Sequence, residues 1–485
     1  MDQPGRCKKM ADDDKGTKTE QKSDGAVACP PVFGMRPETG RWLYIIIGLV
    51  MNICLGTVYS WSVFTGDLKT FFAAGGQTLT AIQLNMPFLV FLAFFAILMP
   101  IAGKFFNKYN PKIILLIGSV LVGVGWLLAG FAITEVVALK ENSFTLLVIA
   151  YGVVAGGGVG IVYGGPIACS TRWCPDRKGF AVGSTVLGFG VSAAITAPLA
   201  TYLINTYSVP DAFLILGGTF LVILVLLSLV VSFPPAGWMP KGCTLASTSG
   251  GRPSINTTAM LKTPSFYALW FCFWVGSLAG LMAIGISKPM GMDYIGLNKN
   301  DASLAIIAFA IPNGLGRPLF GWLTDRLTPR YAAMLSFVLI LVGSLGMLPA
   351  GNTGLGMSVR VICFIFSFCC LWMCLGGWLA IAPTSTTTFF GPKNQPNNYG
   401  IVFSAYGIGA IAGNLLSGYV KDNFVSETIA GKIVANAHPG AYMIIFYATI
   451  VLALVGMLIA FFLMKPPKAA EQPAPAPEKK EQTQN

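Results

Sequence analysis

The chain has 485 residues, of which 54% are hydrophobic and only 11% are charged. A soluble domain carries about 25% charged residues, so this composition excludes a set of soluble domains and indicates a membrane protein. The net charge of +12 would favour nucleic-acid binding in a soluble protein. In a membrane protein it is explained by basic cytoplasmic loops, and no nucleic-acid partner is expected.

Apolar runs long enough to cross a bilayer, which takes about 20 residues, follow one another along the chain. A charged segment, 1–40, precedes them, and 465–485, with repeated Pro and Ala, follows them. Both segments predict disordered cytoplasmic tails. The twelve runs lie at 41–65, 80–103, 112–134, 144–170, 178–204, 209–233, 265–292, 301–323, 330–350, 357–387, 396–422 and 438–464.

The segment 234–264 is the longest polar break between runs and divides them six plus six. It predicts a cytoplasmic linker between two six-helix bundles, 41–233 and 265–464. Pairs of similar residues recur at one spacing, which predicts parallel repeats with a substrate site near mid-membrane between them. The pairs 217 residues apart are Pro166 with Pro383, Gly183 with Gly400, and Gly190 with Gly407.

The basic residues predict the orientation. If both termini are inside, the tails and inner loops hold 24 of the 32 Lys and Arg, and the outer loops hold six. Because Lys and Arg concentrate in cytoplasmic loops, this bias places both termini in the cytoplasm.

Cysteine and histidine give no support to a metal or catalytic site. The 11 Cys lie mostly in apolar segments without metal-ligand spacing, and His438 is the single His. We interpret the cysteines as small apolar residues that pack between helices and expect neither metal nor cofactor. Since no Ser/His/Asp set or pair of carboxylates stands out, an enzyme is not expected.

Arg317 is the most informative residue, because it interrupts the eighth apolar run. Its guanidinium stays charged, and burying that charge is tolerated when it faces a cavity, a bundle interior or a partner. One turn earlier lies Asn313, which is neutral, and no acidic residue falls deep within a predicted span. We infer that the anion is a ligand, such as a small carboxylate. A structural Arg317, bonded to helix-end carbonyls, is the alternative.

The loop Gly321-xxx-Asp325-Arg326-xxx-Arg330 resembles the loop signature of the major facilitator superfamily. The first half carries Asn107 where that signature has Asp. The resemblance implies the twelve-helix major facilitator fold, all-α, and a gating role for Gly321, Asp325, Arg326 and Arg330.

A narrower resemblance, to the oxalate/formate antiporter family, is carried by Gly157 to Pro166, Arg172 to Gly179, Gly188 to Gly190, Leu55 to Phe64, Asn313 to Trp322 and Asn398 to Gly400. The same group includes bacterial monocarboxylate transporters for lactate-type anions. The resemblance implies that Arg317 binds the substrate carboxylate. The oxalate/formate exchanger has a second cation, a Lys, where this chain has Tyr406. Since a dicarboxylate needs two compensating charges, the resemblance favours formate, lactate, pyruvate or acetate over oxalate.

The same resemblance places aromatic side chains of the first, fourth, fifth, tenth and eleventh helices around the substrate. Rings exclude water, and each phenol can donate a hydrogen bond. Asn313, on the same helix face as Arg317, can donate to the carboxylate or hold the guanidinium. Ordinary helix packing is the alternative for the rings. The implied aromatic lining is Tyr59, Tyr163, Phe189, Tyr406 and Trp378.

Lys288 is a second cation within a predicted span, near its outer end. It can extend to the interface, pair with Asp293, or act at the edge of the pathway. If it instead supplies a second charge to the substrate, the argument against dicarboxylates weakens.

We therefore predict a monomeric plasma-membrane transporter that moves a small monocarboxylate by alternating access, with proton symport or anion exchange. Its partners would be the organic anion, a proton or counter-anion, and the bilayer. The alternatives are a dicarboxylate exchanger of the oxalate/formate type, a carboxylate sensor on a transporter fold, a carrier of other organic anions or drugs, and an anion channel.

Overall fold

The computed structural model describes residues 29–77, 79–106, 108–134, 142–235, 237–241, 254–352, 354–420, 427–429, 432–434 and 438–467. Within them, 12 helical spans are long and apolar enough to cross a membrane. The predicted all-α class with twelve spans is confirmed. Because twelve crossings return a chain to its starting side, both ends of the membrane region lie on one side. We call it the terminal side, and the other the opposite side.

The spans are numbered 1 to 12 in chain order. The helices of the first half are Pro37–Leu55 and Trp61–Ala74 (span 1, joined by the 3-10 turn Gly56–Ser60), Ala81–Phe105 (span 2), Pro111–Ala132 (span 3), Ser143–Leu147 and Gly156–Trp173 (span 4, joined by the π-helical segment Val148–Ala155), Lys178–Thr206 (span 5) and Val209–Val230 (span 6).

The helices of the second half are Pro264–Met290 (span 7), Lys299–Leu327 (span 8), Pro329–Met347 (span 9), Met357–Phe390 (span 10), Gln395–Val420 (span 11) and Met443–Leu463 (span 12). The π-helical turn Gly291–Ile295 extends span 7, the 3-10 turn Leu348–Gly351 extends span 9, and the 3-10 turn Pro439–Tyr442 precedes span 12.

A short helix and a pair of strands in the described part of the chain lie outside the spans. The short helix Thr257–Met260 precedes span 7. The strands Glu427–Ile429 and Lys432–Val434 pair antiparallel between spans 11 and 12, in a part of the chain for which no strand was predicted.

Span 1 is longer than the sequence predicted. It continues to Ala74, whereas the predicted run ended at residue 65 because charged residues follow. Phe64, Leu68 and Phe72 recur every four residues and are at most 1% exposed. This spacing buries one face of the helix while its polar residues point outward. A search for continuous apolar runs therefore does not detect this amphipathic extension of span 1.

The ends of span 8 fix the height of Arg317. The Asn298 side chain caps the start of the helix by accepting hydrogen bonds from the N–H groups of Asn300 and Asp301. The helix ends at Leu327, because the φ of 97° at the next residue, Thr328, breaks helical geometry before Pro329. Asn313 is the middle residue of this 29-residue helix, and Arg317 follows one turn, about 6 Å, towards the terminal side.

The two halves of the chain meet where the repeated glycines lie. A side chain on Gly183 of span 5 would collide with the Arg317 backbone, and one on Gly400 of span 11 would collide with Pro100 of span 2. Since glycine has no Cβ, it permits these backbones to approach. The residues that recur in sequence therefore mark equivalent crossings, spans 5 with 8 and spans 2 with 11.

Candidate functional site

The Arg317 guanidinium is fully buried, with 0% of its surface exposed. Its Nη1 donates to the Val186 carbonyl at 2.7 Å, and its Nη2 donates to Oδ1 of Asn313 at 3.2 Å. Nε has no hydrogen-bond partner. Val186 is the ninth of the 29 residues of the span 5 helix, about two turns from its start, so its carbonyl is not one of the helix-end carbonyls. The guanidinium therefore joins the two halves of the protein inside the bundle.

Gly190 makes room for this arrangement. A Cβ at that position would lie 2.7 Å from Nε of Arg317 and 2.7 Å from the Cα atom of Gly314. Real Cβ atoms do not approach so closely, so any other residue at 190 would displace the guanidinium or separate spans 5 and 8.

Aromatic rings predicted from sequence surround the guanidinium. Phe189 lies under it, with its ring centre 5.5 Å from Cζ of Arg317, within cation–π range. The rings of Tyr59 and Tyr163 meet the edge of Phe189 at 5.2 and 5.4 Å. All three rings are at most 6% exposed, so water is largely excluded from this side of the guanidinium.

A second ring layer comes mainly from span 11. Phe403 stacks on Tyr406 at 4.8 Å and packs against Phe95 of span 2 at 4.8 Å. Tyr399 also packs edge-on against Phe403, at 5.7 Å. Sequence reasoning missed Phe95, Tyr399 and Phe403. The spacing of residues 399, 403 and 406 puts them on one helix face, so Tyr406 would have indicated Tyr399 and Phe403.

The Tyr59 and Tyr406 hydroxyls form a hydrogen bond of 2.6 Å between spans 1 and 11. This contact joins the two halves of the protein on the side of the ring cluster that faces the large cavity described below. Tyr406 thus supplies a neutral group that can donate or accept one hydrogen bond.

Four buried polar groups near the guanidinium make no hydrogen bond of good geometry in the part of the chain that the structure describes. The Tyr163 hydroxyl lies close enough to Tyr399 and to Arg317 for a weak hydrogen bond with each, and the charge of Arg317 acts on both phenols. Each group can donate a hydrogen bond, and leaving one unsatisfied costs about 1–3 kcal/mol. A ligand rich in acceptors, such as a carboxylate, would satisfy them. The groups are Nε of Arg317, Nδ2 of Asn313, and the hydroxyls of Tyr163 and Tyr399.

Trp378 lies one layer away from this cluster. Its ring packs against Phe337 at 5.4 Å and against Phe273 at 6.2 Å, and Phe273 in turn faces Tyr406. Its Nε1 is buried without a partner. The structure therefore brings together six of the seven predicted binding residues and places Trp378 behind Phe273.

The predicted loop signature closes the terminal side of the protein. The Asp325 carboxylate accepts hydrogen bonds from the backbone N–H groups of Gly179 at 2.8 Å and Phe180 at 2.9 Å, at the start of span 5. Beside it, Gly321 lies so close to Gly179 that a Cβ on either would collide with the other's carbonyl. A charged acceptor at a helix N-terminus strengthens such a contact between the halves.

The other two signature residues lie within the second half. Arg326 covers the Trp322 ring at 5.9 Å, and Arg330 covers the Phe461 ring at 4.4 Å. Of the four, Gly321 and Asp325 make the contact between the halves. Asn107, the matching position in the first half, lies outside the described residues.

The motif from Arg172 to Gly179 supports the first half rather than the ring cluster. The Asp176 carboxylate pairs with both Nη atoms of Arg41, at 2.5 and 3.0 Å, which holds the start of span 1 to the loop between spans 4 and 5. The Trp173 indole donates to the Ser232 carbonyl at 2.8 Å, and Arg172 covers the Phe233 ring.

A cavity of about 780 Å³ opens towards the opposite side between the two halves. Its lining comes from the opposite-side parts of spans 1, 2, 7, 8 and 11, with Trp372 of span 10 and Tyr442 in the turn before span 12. Tyr59 belongs to the lining, whereas Arg317 does not and has no exposed surface. Tyr59 and its bond to Tyr406 therefore separate the cavity from the guanidinium. The structure is closed on the terminal side and open on the other.

This two-sided architecture agrees with a profile match. The model of the Major Facilitator Superfamily matches residues 42–387 and 275–485. The chain belongs to the major facilitator superfamily. The predicted fold family and the prediction of a multi-pass plasma-membrane transporter are thereby confirmed.

Proteins similar in sequence to this superfamily member include transporters named for organic anions. It is 28% identical to the oxalate:formate antiporter of Oxalobacter formigenes over 397 residues, which cover 80% of this chain and 88% of the relative. It is 25% identical to monocarboxylate transporter 13 of Rattus norvegicus, over 70% of this chain and 73% of the relative. It is also 21% identical to apicoplast pyruvate carrier 1 of Toxoplasma gondii, over 75% and 81%.

Solved structures share the fold. The proton:xylose symporter XylE aligns with a TM-score of 0.69 at 14% identity, covering 88% of this chain and 96% of that one. A bacterial homologue of the iron transporter ferroportin, in an outward-facing state, aligns with a TM-score of 0.62 at 14% identity, covering 88% and 99%. At this identity the likeness concerns the fold alone.

Proposed function

We propose that the protein is a secondary transporter that moves a small monocarboxylate, of the formate, lactate, pyruvate or acetate type, by alternating access. The observation that carries this proposal is the set of buried donors around Arg317 that lack a well-placed acceptor among the described residues. A carboxylate offers two oxygens and one negative charge. It would neutralise the guanidinium and accept from the amide and phenols together.

The charge of the site supports a monocarboxylate over a dicarboxylate. Arg317 is the one cation in contact with the described ring cluster, and Tyr406 is neutral. Lys288 lines the cavity, on the other side of Tyr59 from Arg317. A dicarboxylate at Arg317 would keep one charge uncompensated in a site that excludes water, which is costly.

The transport cycle follows from two contacts between the halves, the Tyr59–Tyr406 hydrogen bond beside the cavity and the Asp325 contact with span 5 on the terminal side. A carboxylate enters the opposite-side cavity, passes the Tyr59–Tyr406 contact and pairs with Arg317. Neutralisation then lowers the cost of surrounding the guanidinium with protein on the opposite side. The Asp325 contact with span 5 breaks, and the anion leaves on the terminal side, which the basic residues assign to the cytoplasm.

For coupling, we propose exchange of one anion for another. No carboxylate among the described residues contacts Arg317, and Asn313 does not titrate. An anion-free carrier therefore keeps its guanidinium charged, which disfavours the return step. Movement of a proton with the anion is the second mode, and the supporting relatives include monocarboxylate transporters as well as an antiporter.

The test is uptake of radiolabelled lactate, formate and oxalate into liposomes that contain purified protein. The liposomes are either empty or loaded with unlabelled anion, with and without an inward proton gradient. We expect saturable lactate or formate uptake, stimulated by internal anion. Arg317→Gln should reduce it at least 100-fold, because one charge and a two-oxygen contact are lost.

The matched control is Lys262→Gln, which removes a charge from an exposed residue outside the site. It should transport like the unmodified protein. Uptake that persists in Arg317→Gln would refute the proposal. Uptake of oxalate alone would mean a dicarboxylate exchanger, and stimulation by the gradient without internal anion would replace exchange with proton symport.

A further inference from the structure

We propose that the first half of the protein binds an anionic phospholipid on the terminal side, with an acyl chain in a groove between spans 2, 3 and 4 and the headgroup beside Lys108. None of the residues that line this groove also lines the opposite-side cavity. The site therefore lies outside the transport pathway, and the inference goes beyond the proposed function without depending on the substrate.

The groove is an apolar cavity of about 370 Å³ on the outer surface of the first half. This volume falls within the range of roughly 300–1,000 Å³ that is usual for small-molecule pockets. Ala102 and Ile114 are buried on its floor, whereas Ile101 and Ile117 are exposed on its rims. The lining is otherwise hydrophobic too, with the Tyr109 hydroxyl as its polar side-chain group. An acyl chain is a ligand that fills such a surface without leaving a polar group unsatisfied.

The groove runs from the terminal-side ends of spans 2 and 3 towards the middle of the membrane. Leu98 lies seven residues before span 2 ends at Phe105, about 10 Å along the helix axis. Ile117 lies six residues after span 3 begins at Pro111, about 9 Å. Ile161 of span 4 completes the lining. A soluble anion would leave this apolar length unfilled, whereas the chain of a lipid whose headgroup lies at the membrane surface would extend along it.

Positive charge is concentrated at the terminal-side mouth of the groove. The sequence 103–112 contains three Lys and no Asp or Glu. The Lys108 ammonium lies over the ring of Tyr109, 5.4 Å from its centre, and Tyr109 lines the groove. Lys104 lies in the last turn of span 2 and Lys112 in the first turn of span 3, so both flank the same mouth. Basic clusters at this level of a membrane protein attract anionic headgroups.

The three lysines have no acidic partner among the described residues, where the ion pair that forms joins Arg41 to Asp176. The corresponding loop of the second half, 321–330, differs because it contains Asp325 as well as two Arg. The Asp325 carboxylate reduces the net charge of that loop and binds the start of span 5. A basic cluster beside an apolar groove is therefore a feature of the loop between spans 2 and 3.

The groove and the basic mouth together define the ligand. A phospholipid with a net negative headgroup, such as phosphatidylglycerol, supplies a chain for the groove and a charge for the lysines. A zwitterionic lipid with the same chains would fill the groove equally well. Its headgroup cation would offset the attraction of its phosphate to the lysines, so it should bind less tightly.

The first measurement is native mass spectrometry of the purified full chain, delipidated in detergent, with phosphatidylglycerol and phosphatidylcholine that carry the same acyl chains. We expect the first phosphatidylglycerol to bind at least fivefold more tightly than the first phosphatidylcholine. The triple variant Lys104→Gln/Lys108→Gln/Lys112→Gln should lose this preference, because it removes the charge at the mouth and leaves the groove intact.

The matched control removes the same charge from three exposed lysines in other terminal-side loops, Lys241→Gln/Lys262→Gln/Lys393→Gln. It should keep the preference for phosphatidylglycerol. An unchanged midpoint of thermal unfolding in the delipidated state will show that both triple variants are folded.

The second measurement tests the groove itself. Ile117→Trp places a larger side chain on its rim and should weaken phosphatidylglycerol binding at least fivefold. Leu226→Trp, at an exposed position of span 6 outside the groove, should bind the lipid normally. Phosphatidylglycerol with six-carbon chains should bind at least fivefold less tightly than the long-chain lipid, and glycerol phosphate should not compete. Equal binding of the short-chain lipid would mean that the lysines recognise the headgroup alone.

Several outcomes would overturn the inference. These are equal binding of the two headgroups, the same loss of preference in both triple variants, and binding that is unaffected by Ile117→Trp or by shortening of the chains. A dimer that retains no lipid and dissociates in Ile117→Trp would also overturn it, because a second copy of the chain would then cover the groove. Transport is not measured here, so failure of the lipid site leaves the proposed function untouched, and absence of lactate or formate uptake leaves the lipid site untouched.

Discussion

At the scale of single residues, the candidate site contains a buried cation that contacts no acidic side chain among the described residues. Arg317 engages one backbone carbonyl and one amide oxygen, both neutral, and lies over the face of Phe189. Neutral acceptors and a ring stabilise the charge partly, whereas an acidic partner would neutralise it. The guanidinium therefore retains its attraction for an anion from solution.

Replacing Asn313 by Asp should make transport depend on pH. The new carboxylate would lie beside Nη2 of Arg317 and, when ionised, would occupy the charge that the substrate needs. Protonation removes this competition, so uptake should fall as the pH rises through the pKa of the new carboxyl, which burial raises and the adjacent guanidinium lowers. Initial rates of lactate or formate uptake measure the effect. Asn313→Ala, which removes the amide without adding a charge, should transport more slowly at every pH and give a flat profile.

Removing either hydroxyl of the Tyr59–Tyr406 pair should ease access to Arg317 from the opposite side. A single hydrogen bond contributes about 1 kcal/mol, so opening becomes up to about fivefold more favourable. Uptake at low substrate concentration should rise by that factor in Tyr59→Phe, in Tyr406→Phe and in the double variant alike, because all three lose the same bond. A decrease instead would mean that the hydroxyls donate to the substrate.

At the scale of helices, the terminal-side closure is a contact between two backbones. Gly179 and Gly321 let spans 5 and 8 approach until carbonyl and Cα atoms touch, and the Asp325 carboxylate then reaches two N–H groups. Closure of the terminal side thus depends on the missing side chains of Gly179 and Gly321 as much as on the charged side chain of Asp325.

A methyl group at this contact should hold the terminal side open. In Gly321→Ala the Cβ would collide with the Gly179 carbonyl, so the cavity on the opposite side should close and transport should stop. Labelling of a cysteine at Leu415, which lines this cavity, should slow at least tenfold. Gly218→Ala is the matched control, because nothing lies within 4 Å of the added methyl, and it should label and transport normally. Unchanged labelling in Gly321→Ala would contradict this reading of the closure.

The sequence predicted those features that depend on the residue types within one segment of the chain. Apolar runs predicted the twelve spans, and the constant spacing of the pairs Gly183–Gly400 and Gly190–Gly407 predicted the repeats. A lone Arg in an apolar run indicated the centre of the site. Sequence reasoning missed Phe95, Tyr399 and Phe403 because a buried ring beside a candidate site looks, in sequence, like any packed ring, and only contacts between distant spans distinguish the two. The extension of span 1 to Ala74 escaped because its apolar face is narrow.

At the scale of the whole molecule, the protein is open on one side and closed on the other, with the charged site between. The 780 Å³ cavity ends at Tyr59, and the terminal side is closed by two crossings, spans 5 with 8 and spans 2 with 11. Related crossings at equivalent positions of the repeats suit a rocking motion in which both open together.

Cysteine accessibility should exchange between the two sides during transport. Leu415 lies in the cavity, and Val182 is fully buried near the contact of span 5 with span 8. Without substrate, a permeant maleimide should label a cysteine at 415 at least tenfold faster than one at 182. Adding lactate or formate should slow labelling at 415 and accelerate it at 182. Acceleration at both positions would indicate a continuous channel, which is incompatible with a carrier.

The hydrogen bond from Arg317 to the Val186 carbonyl has a consequence for how tightly a carboxylate is held. The guanidinium already donates a hydrogen bond to Val186 when an anion arrives. The free energy of binding is therefore the difference between the bonds that the anion forms and the bond that it weakens. Differences of about 4 kcal/mol correspond to millimolar dissociation constants. Such a protein would be tuned to the abundance of ordinary metabolites and to rapid turnover, not to scavenging traces.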